Sequence, residues 1–126
     1  MKDLDCVKVT QLSKANEILP SVDLVVPGKG GNDLTSKRLN FGGNSGFAAL
    51  HLALIWGASK VVLLGYDMKG GSHWFGKHPD ALTRQPNYSS FVGNFDNAKK
   101  PDTPIINCSR DTALTSFPKA TIQDVL

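Results

Sequence analysis

At 126 residues, 40% hydrophobic and 20% charged, the chain has the make-up of one globular domain over residues 1–126, not of a disordered chain. No apolar run approaches the ~20 residues of a membrane helix, and the residues after Met1 lack a secretion-signal pattern, so a cytoplasmic protein is expected. The net charge of +3 is scattered, with pairs only at Lys37-Arg38 and Lys99-Lys100, which suits anionic small molecules and argues against nucleic acid.

In chain order, Cys6 to Thr10 reads as a short strand of mixed pattern. Leu12, Ala15, Ile18 and Leu19 recur at helical spacing over residues 11–19, and Pro20 closes that helix. Val22 to Val26 is a second strand, stopped by Pro27-Gly28. Lys29 to Asn40 carries glycines, Asn32, Asp33 and three basic residues without periodicity, and is expected to be a mobile surface loop, a lid over the sheet end. Cys6 and Cys108 lie far apart and read as two thiols in a reducing compartment.

The stretch from Phe41 to Asp67 organises the rest. Gly42 and Gly43 permit a sharp turn, and Asn44 or Ser45 is placed to cap a helix. Residues 47–56 are apolar on almost every face, as in a helix buried on both sides, and Gly57 ends it. Val61 to Leu64 is apolar without alternation, the pattern of a central parallel strand covered by helices. This is half of a doubly wound α/β unit, in which ligands sit beyond the carboxyl ends of the strands.

Residues 68–87 are punctuated by glycine and proline and hold Trp74 and Phe75, a long irregular loop of functional type. Tyr88, Phe91, Val92 and Phe95 predict a helix over 88–100. Ile105 to Cys108 is a last strand, Asp111 to Ser116 a helical turn, and Thr121 caps a terminal turn through Leu126. Four strands are few for a doubly wound sheet, so either the sheet is small or other strands complete it.

Three groups of residues carry chemistry. The turn at Gly43, Asn44, Ser45 and Gly46 directs N–H groups and a positive helix end toward the ligand side, a ready anion site, although the same residues could serve only to turn the chain and cap the helix. It lacks the Lys-Ser/Thr ending of a Walker loop and is not Gly-x-Gly-x-x-Gly. Asp67, just past the strand, can accept from a ribose hydroxyl, hold a cation or cap the next turn, and Tyr66 can stack on a base or pack. His73 and His78 can supply a general base, or with Asp67 or Asp80 bind a divalent metal, though their spacing fits no standard zinc pattern; the plainer reading is a pair of solvated side chains. His51 lies within the apolar helix and reads as a hydrogen-bonded core histidine. Asn107, Ser109, Arg110 and Asp111 form another strand-end cluster, where Arg110 can meet a phosphate and Asp111 caps the next helix.

Residues 42–54, Gly-Gly-Asn-Ser-Gly-Phe-Ala-Ala-Leu-His-Leu-Ala-Leu, and 57–68, Gly-Ala-Ser-Lys-Val-Val-Leu-Leu-Gly-Tyr-Asp-Met, resemble small bacteriophage proteins often labelled "norphogenetic protein". The resemblance includes Ser72-His73-Trp74-Phe75-Gly76 with His78-Pro79, and the tail Ile105 to Pro118 followed by Ile122-Gln123-Asp124-Val125-Leu126; it covers the chain from about Val22 onward. More distantly the chain is similar to the Rossmann-like family that includes bacterial sialyltransferases using a CMP-sugar donor. That similarity implies a small Rossmann-like three-layer fold with a mostly parallel sheet. Asn44-Ser45-Gly46 then falls on the family's Thr-Ser-Gly turn at the nucleotide, with Asn replacing Thr. Gly65-Tyr66-Asp67 falls on its Gly-x-Asp, and His73, or else His78, on its general base. Both groups begin with a strand and a Gly-rich loop that this chain is expected to lack, so it looks like the C-terminal part of that fold.

The resulting expectation is a phage-type protein binding a nucleotide or nucleotide-sugar, with glycosyl transfer as its chemistry. The alternatives are a non-catalytic binding or assembly protein, whose exposed sheet edge favours a homo-oligomer, and a metal-dependent hydrolase using His73, His78 and Asp67.

Overall fold

A computed structural model of the chain describes residues 7–10, 24–26, 28–70 and 87–126. In order, the described elements are β1 (Val9–Thr10), β2 (Leu24–Val25), β3 (Gly28–Lys29), β4 (Leu39–Asn40), α1 (Ser45–Ile55), β5 (Val61–Leu63), α2 (Tyr88–Asp96), β6 (Ile105–Asn107) and α3 (Ile122–Val125). The fold is mixed α/β. Among the described residues the strands form three parallel pairs, β1 with β2, β3 with β4 and β5 with β6. No helix among these residues is long and apolar enough to cross a membrane. The predicted helix over 11–19 and residues 71–86 of the predicted loop lie outside the described residues.

Both ends of α1 are set by local chemistry. Asn44 stands in extended conformation, and its Oδ1 accepts from the Phe47 N–H at 2.8 Å, satisfying one of the first-turn donors that no carbonyl can reach. Gly42 lies at φ 51°, and a Cβ there would fall 2.1 Å from the Phe47 ring, so both the turn and the close ring approach require glycine. At the far end Gly57 takes φ 84°, its N–H donates to the Leu54 carbonyl, and the Ala58 N–H donates to the Ala53 carbonyl. That pairing is a Schellman motif.

The core gathers around Phe95 of α2. Its ring lies 5.0 Å from that of Phe47 and meets Tyr66 and Phe117 edge-on at 6.2 and 6.1 Å. Leu34, Leu50, Leu63, Ala98, Ile105 and Leu114 complete the buried cluster. Each such side chain contributes roughly 1.5–3 kcal/mol when withdrawn from water. His51 is fully buried, as its place in the helix predicts: its Nδ1 accepts from the Asn40 N–H at 2.8 Å. A backbone N–H can only donate, so Nε2 carries the proton and donates to the Ser36 carbonyl at 2.9 Å.

Four expectations are corrected. Residues 29–40 are no lid: β3 and β4 pair at their ends, Leu34 and Leu39 are buried, and the Leu34 N–H donates to the Lys99 carbonyl while the Lys99 N–H donates to that of Asn32. Two-residue strands leave no period to read. Helix α1 is not covered all round, since it packs on β4 and β5 while Ala49, Ile55 and Trp56 stay exposed. Helix α2 stops at Asp96 rather than near Lys100, because Asn97 folds back onto the Gly93 carbonyl, Ala98 turns into the core and Lys99 pairs with the 32–34 backbone. Residues 111–116 form no helix: the Thr112 hydroxyl donates to the Tyr66 carbonyl at 2.5 Å and accepts from the Leu114 N–H at 2.9 Å, so this segment is tied to the end of β5. The terminal turn forms as expected, with the Asp124 carboxylate accepting from the Thr121 N–H and hydroxyl at 3.1 and 2.6 Å.

Candidate functional site

Strands β5 and β6 run parallel, in register from Val61 opposite Ile105 to Leu63 opposite Asn107, so both carboxyl ends open at one edge. There a cleft of about 1250 Å³ is lined by four stretches: Asn44 to Gly46 at the start of α1, Leu64 to Gly70 after β5, Tyr88 and Phe91 of α2, and Cys108 to Asp111 after β6. Two groups predicted separately from sequence, the glycine turn and the residues after the central strand, therefore share one cavity. The cluster after β6 joins them.

Tyr66 ties these stretches together. Its N–H donates to Ser109 Oγ at 2.8 Å, its hydroxyl donates to the Gly46 carbonyl at 2.9 Å, and its own carbonyl accepts from Thr112. A Cβ on Gly46 would lie 3.2 Å from the tyrosine ring, so a larger residue would crowd it. Of the two roles open to Tyr66 in the sequence, packing is met directly, and burial pushes its phenol above the ordinary value near 10. Ser109 is itself held by the Asn107 side chain, whose Oδ1 accepts from the Ser109 N–H at 3.0 Å.

Asn44 takes the Phe47 N–H, leaving the N–H groups of Ser45 and Gly46 without a hydrogen-bond partner among the described residues. Gly43 belongs to the turn rather than to the cleft lining; it lies at φ 74°, beside the Asn94 side chain that donates to the Gly42 carbonyl. Asp67 is exposed: its carbonyl accepts from the Ala113 N–H at 2.8 Å, while its carboxylate makes no hydrogen bond among the described residues. Its side chain therefore caps no described turn. Met68 follows in the left-handed region, φ 51°, with its side chain packed against the core. Such a conformation costs about 1–2 kcal/mol for a residue with a Cβ.

Asp111 does not cap a helix. It pairs with Lys69, which bridges the segments after β5 and β6, and that contact holds the Asp111 carboxyl below its usual range. Arg110 is exposed and has no ion-pair partner among the described residues. His73 and His78 lie outside the described residues. Among those described, no group of three His, Cys, Asp or Glu side chains is placed to hold a metal ion.

Sequence reasoning missed the Lys69–Asp111 bridge, the hydroxyl of Thr112 as a tie to β5, and Tyr88 and Phe91 as cleft wall. For the first two the sequence carries only a general signal, that segments following two parallel strands converge at one edge, and not which side chains meet there. In the sequence Tyr88 and Phe91 serve only as periodic positions of a helix. No protein-family model, curated protein or solved structure matches this chain.

Proposed function

We propose that this chain is a phage-type, Rossmann-like α/β protein that binds a nucleotide or nucleotide-sugar in the cleft beyond β5 and β6. The observation that carries the reading is the convergence of Asn44 to Gly46, Asp67 and Arg110 on one cavity. Helix-start N–H groups that have no hydrogen-bond partner among the described residues, together with a guanidinium, suit a phosphate. An exposed carboxylate with no hydrogen-bond partner among the described residues suits a ribose diol. Parallel pairing of β5 with β6 is the arrangement in which such sheets hold ligands at their carboxyl ends. Glycosyl transfer extends this reading through the resemblance. The acceptor hydroxyl would attack the anomeric carbon as the bond to the donor phosphate breaks, with His73, or else His78, taking the hydroxyl proton.

A thermal-shift titration against nucleotides and nucleotide-sugars, with and without a divalent metal, tests binding. A ligand at ~100 times its Kd stabilises by about 2.7 kcal/mol, or about 10 °C for a domain of this size. Asp67→Ala is expected to abolish that shift while melting as the unaltered protein does without ligand. A flat response across the panel would overturn the proposal.

A further inference from the structure

We infer that Tyr88 and Phe91 form the surface against which the base of the bound nucleotide rests. The inference builds on the nucleotide reading and rests on it. Tyr88 and Phe91 stand three residues apart on α2, so they share a face. Their rings meet edge-on at 6.0 Å and 78°. Both are half-buried and both line the cleft. Neither belongs to the buried cluster around Phe95, which takes its aromatic contacts from Phe47, Tyr66 and Phe117 instead.

The cleft thus combines two chemistries. Around the first turn of α1 and Arg110 it offers N–H groups and positive charge, and on α2 it offers aromatic carbon. A simple sugar phosphate would satisfy the first and leave the second wet. An apolar ligand would cover the rings and leave the polar groups without partners. A molecule with a phosphate at one end and a flat aromatic ring at the other uses both. Edge-to-face rings present a broad apolar surface with little hydrogen-bonding demand, so base identity would be read weakly by this wall and contact area strongly.

The test is calorimetric titration of the full chain with the four common ribonucleoside 5′-monophosphates and with ribose 5-phosphate, which has the phosphate and sugar but no base. The unaltered protein is expected to bind its best nucleotide at least tenfold more tightly than ribose 5-phosphate. Tyr88→Leu should remove most of that margin while leaving ribose 5-phosphate binding unchanged, and Tyr88→Trp should retain it. Circular dichroism melts confirm that each variant is folded, and Phe91→Leu provides a second variant of the same wall. Nucleotide affinity unchanged in both leucine variants would overturn the base-wall assignment and leave the nucleotide reading standing. Equal affinity of the unaltered protein for ribose 5-phosphate and nucleotides would do the same. Binding of neither would overturn both.

Discussion

Asn44 separates the stability of α1 from its proposed role at an anion, because its side chain does two jobs that substitution can split. Its Oδ1 accepts from the Phe47 N–H at 2.8 Å, and its Nδ2 donates to the Gly42 carbonyl at 3.1 Å. Asn44→Ala removes both, and loss of an N-cap acceptor costs about 1 kcal/mol, or about 4 °C in Tm at this chain length. Asn44→Asp keeps the acceptor. It loses the donor, but the Gly42 carbonyl still accepts from Asn94 Nδ2 at 2.8 Å and so is not left bare. The new negative charge also gains ~0.5 kcal/mol from the helix dipole, so the aspartate variant should melt within about 2 °C of the unaltered protein. Its effect on an anion is the reverse. A carboxylate roughly 6 Å from a bound phosphate repels it by about 0.7–2.8 kcal/mol at effective dielectric constants of ~80 to ~20, a loss of roughly 3- to 100-fold in affinity. Scanning calorimetry gives the first quantity and titration calorimetry with nucleotides the second. An aspartate variant that binds nucleotides as tightly as the unaltered protein would refute a phosphate at the start of α1.

Three further outcomes follow from the packing. Tyr66→Phe deletes the hydroxyl that donates to the Gly46 carbonyl, and should lower Tm by about 4 °C, equivalent to ~1 kcal/mol, with no change in the far-ultraviolet spectrum. His51→Leu fills similar space but strands the buried Asn40 N–H, so denaturant titration should show a loss of about 1–3 kcal/mol, and an unchanged midpoint would remove His51 from the structural frame. The carboxyls of Asp33 and Asp124 are held below 3.8 by the hydroxyl and N–H of Thr35 and Thr121, and that of Asp111 by Lys69. A carboxyl lowered in the folded state stabilises fully above its unfolded value and loses that contribution as pH falls through the folded one. The contribution of these three carboxyls to Tm should therefore be constant from neutral pH to about 5 and decline below about 4, and replacing all three with asparagine should flatten the part of the acid decline that lies below about pH 4.

The part of the fold legible in the sequence is the part governed by local chemistry. Asn44, Gly57 and Thr121 mark helix ends through side-chain or backbone geometry that needs no distant partner, and all three fall where read. His51 was legible as well, because a histidine inside an apolar helix must find partners for its ring nitrogens. What escaped was set by distant contacts. Residues 29–40 look aperiodic because their order comes from Lys99 and from two-residue strands, and 111–116 gave up a helix because Tyr66 offered its carbonyl to Thr112. For the candidate site, position was legible from the rule that parallel strands present ligands at one edge. Contacts such as Lys69 with Asp111 were not, since a sequence does not show how two strand-end segments lie against each other.

The parallel pairing of β5 with β6 has a consequence for how the molecule assembles. Val61 finds Ile105 only after the whole intervening chain has been brought round, and no described strand pair is a tight hairpin that could form early and template the rest. Closing so long a loop costs entropy before any contact repays it. Helix α1, with local signals at both ends, is the element able to form first. The cleft lies at the seam where the two late-meeting strands end, so it comes into being only when the chain has closed. A nucleotide in that cleft would bridge segments on both sides of the closure and slow its reopening, acting on the rate of unfolding more than on the rate of folding.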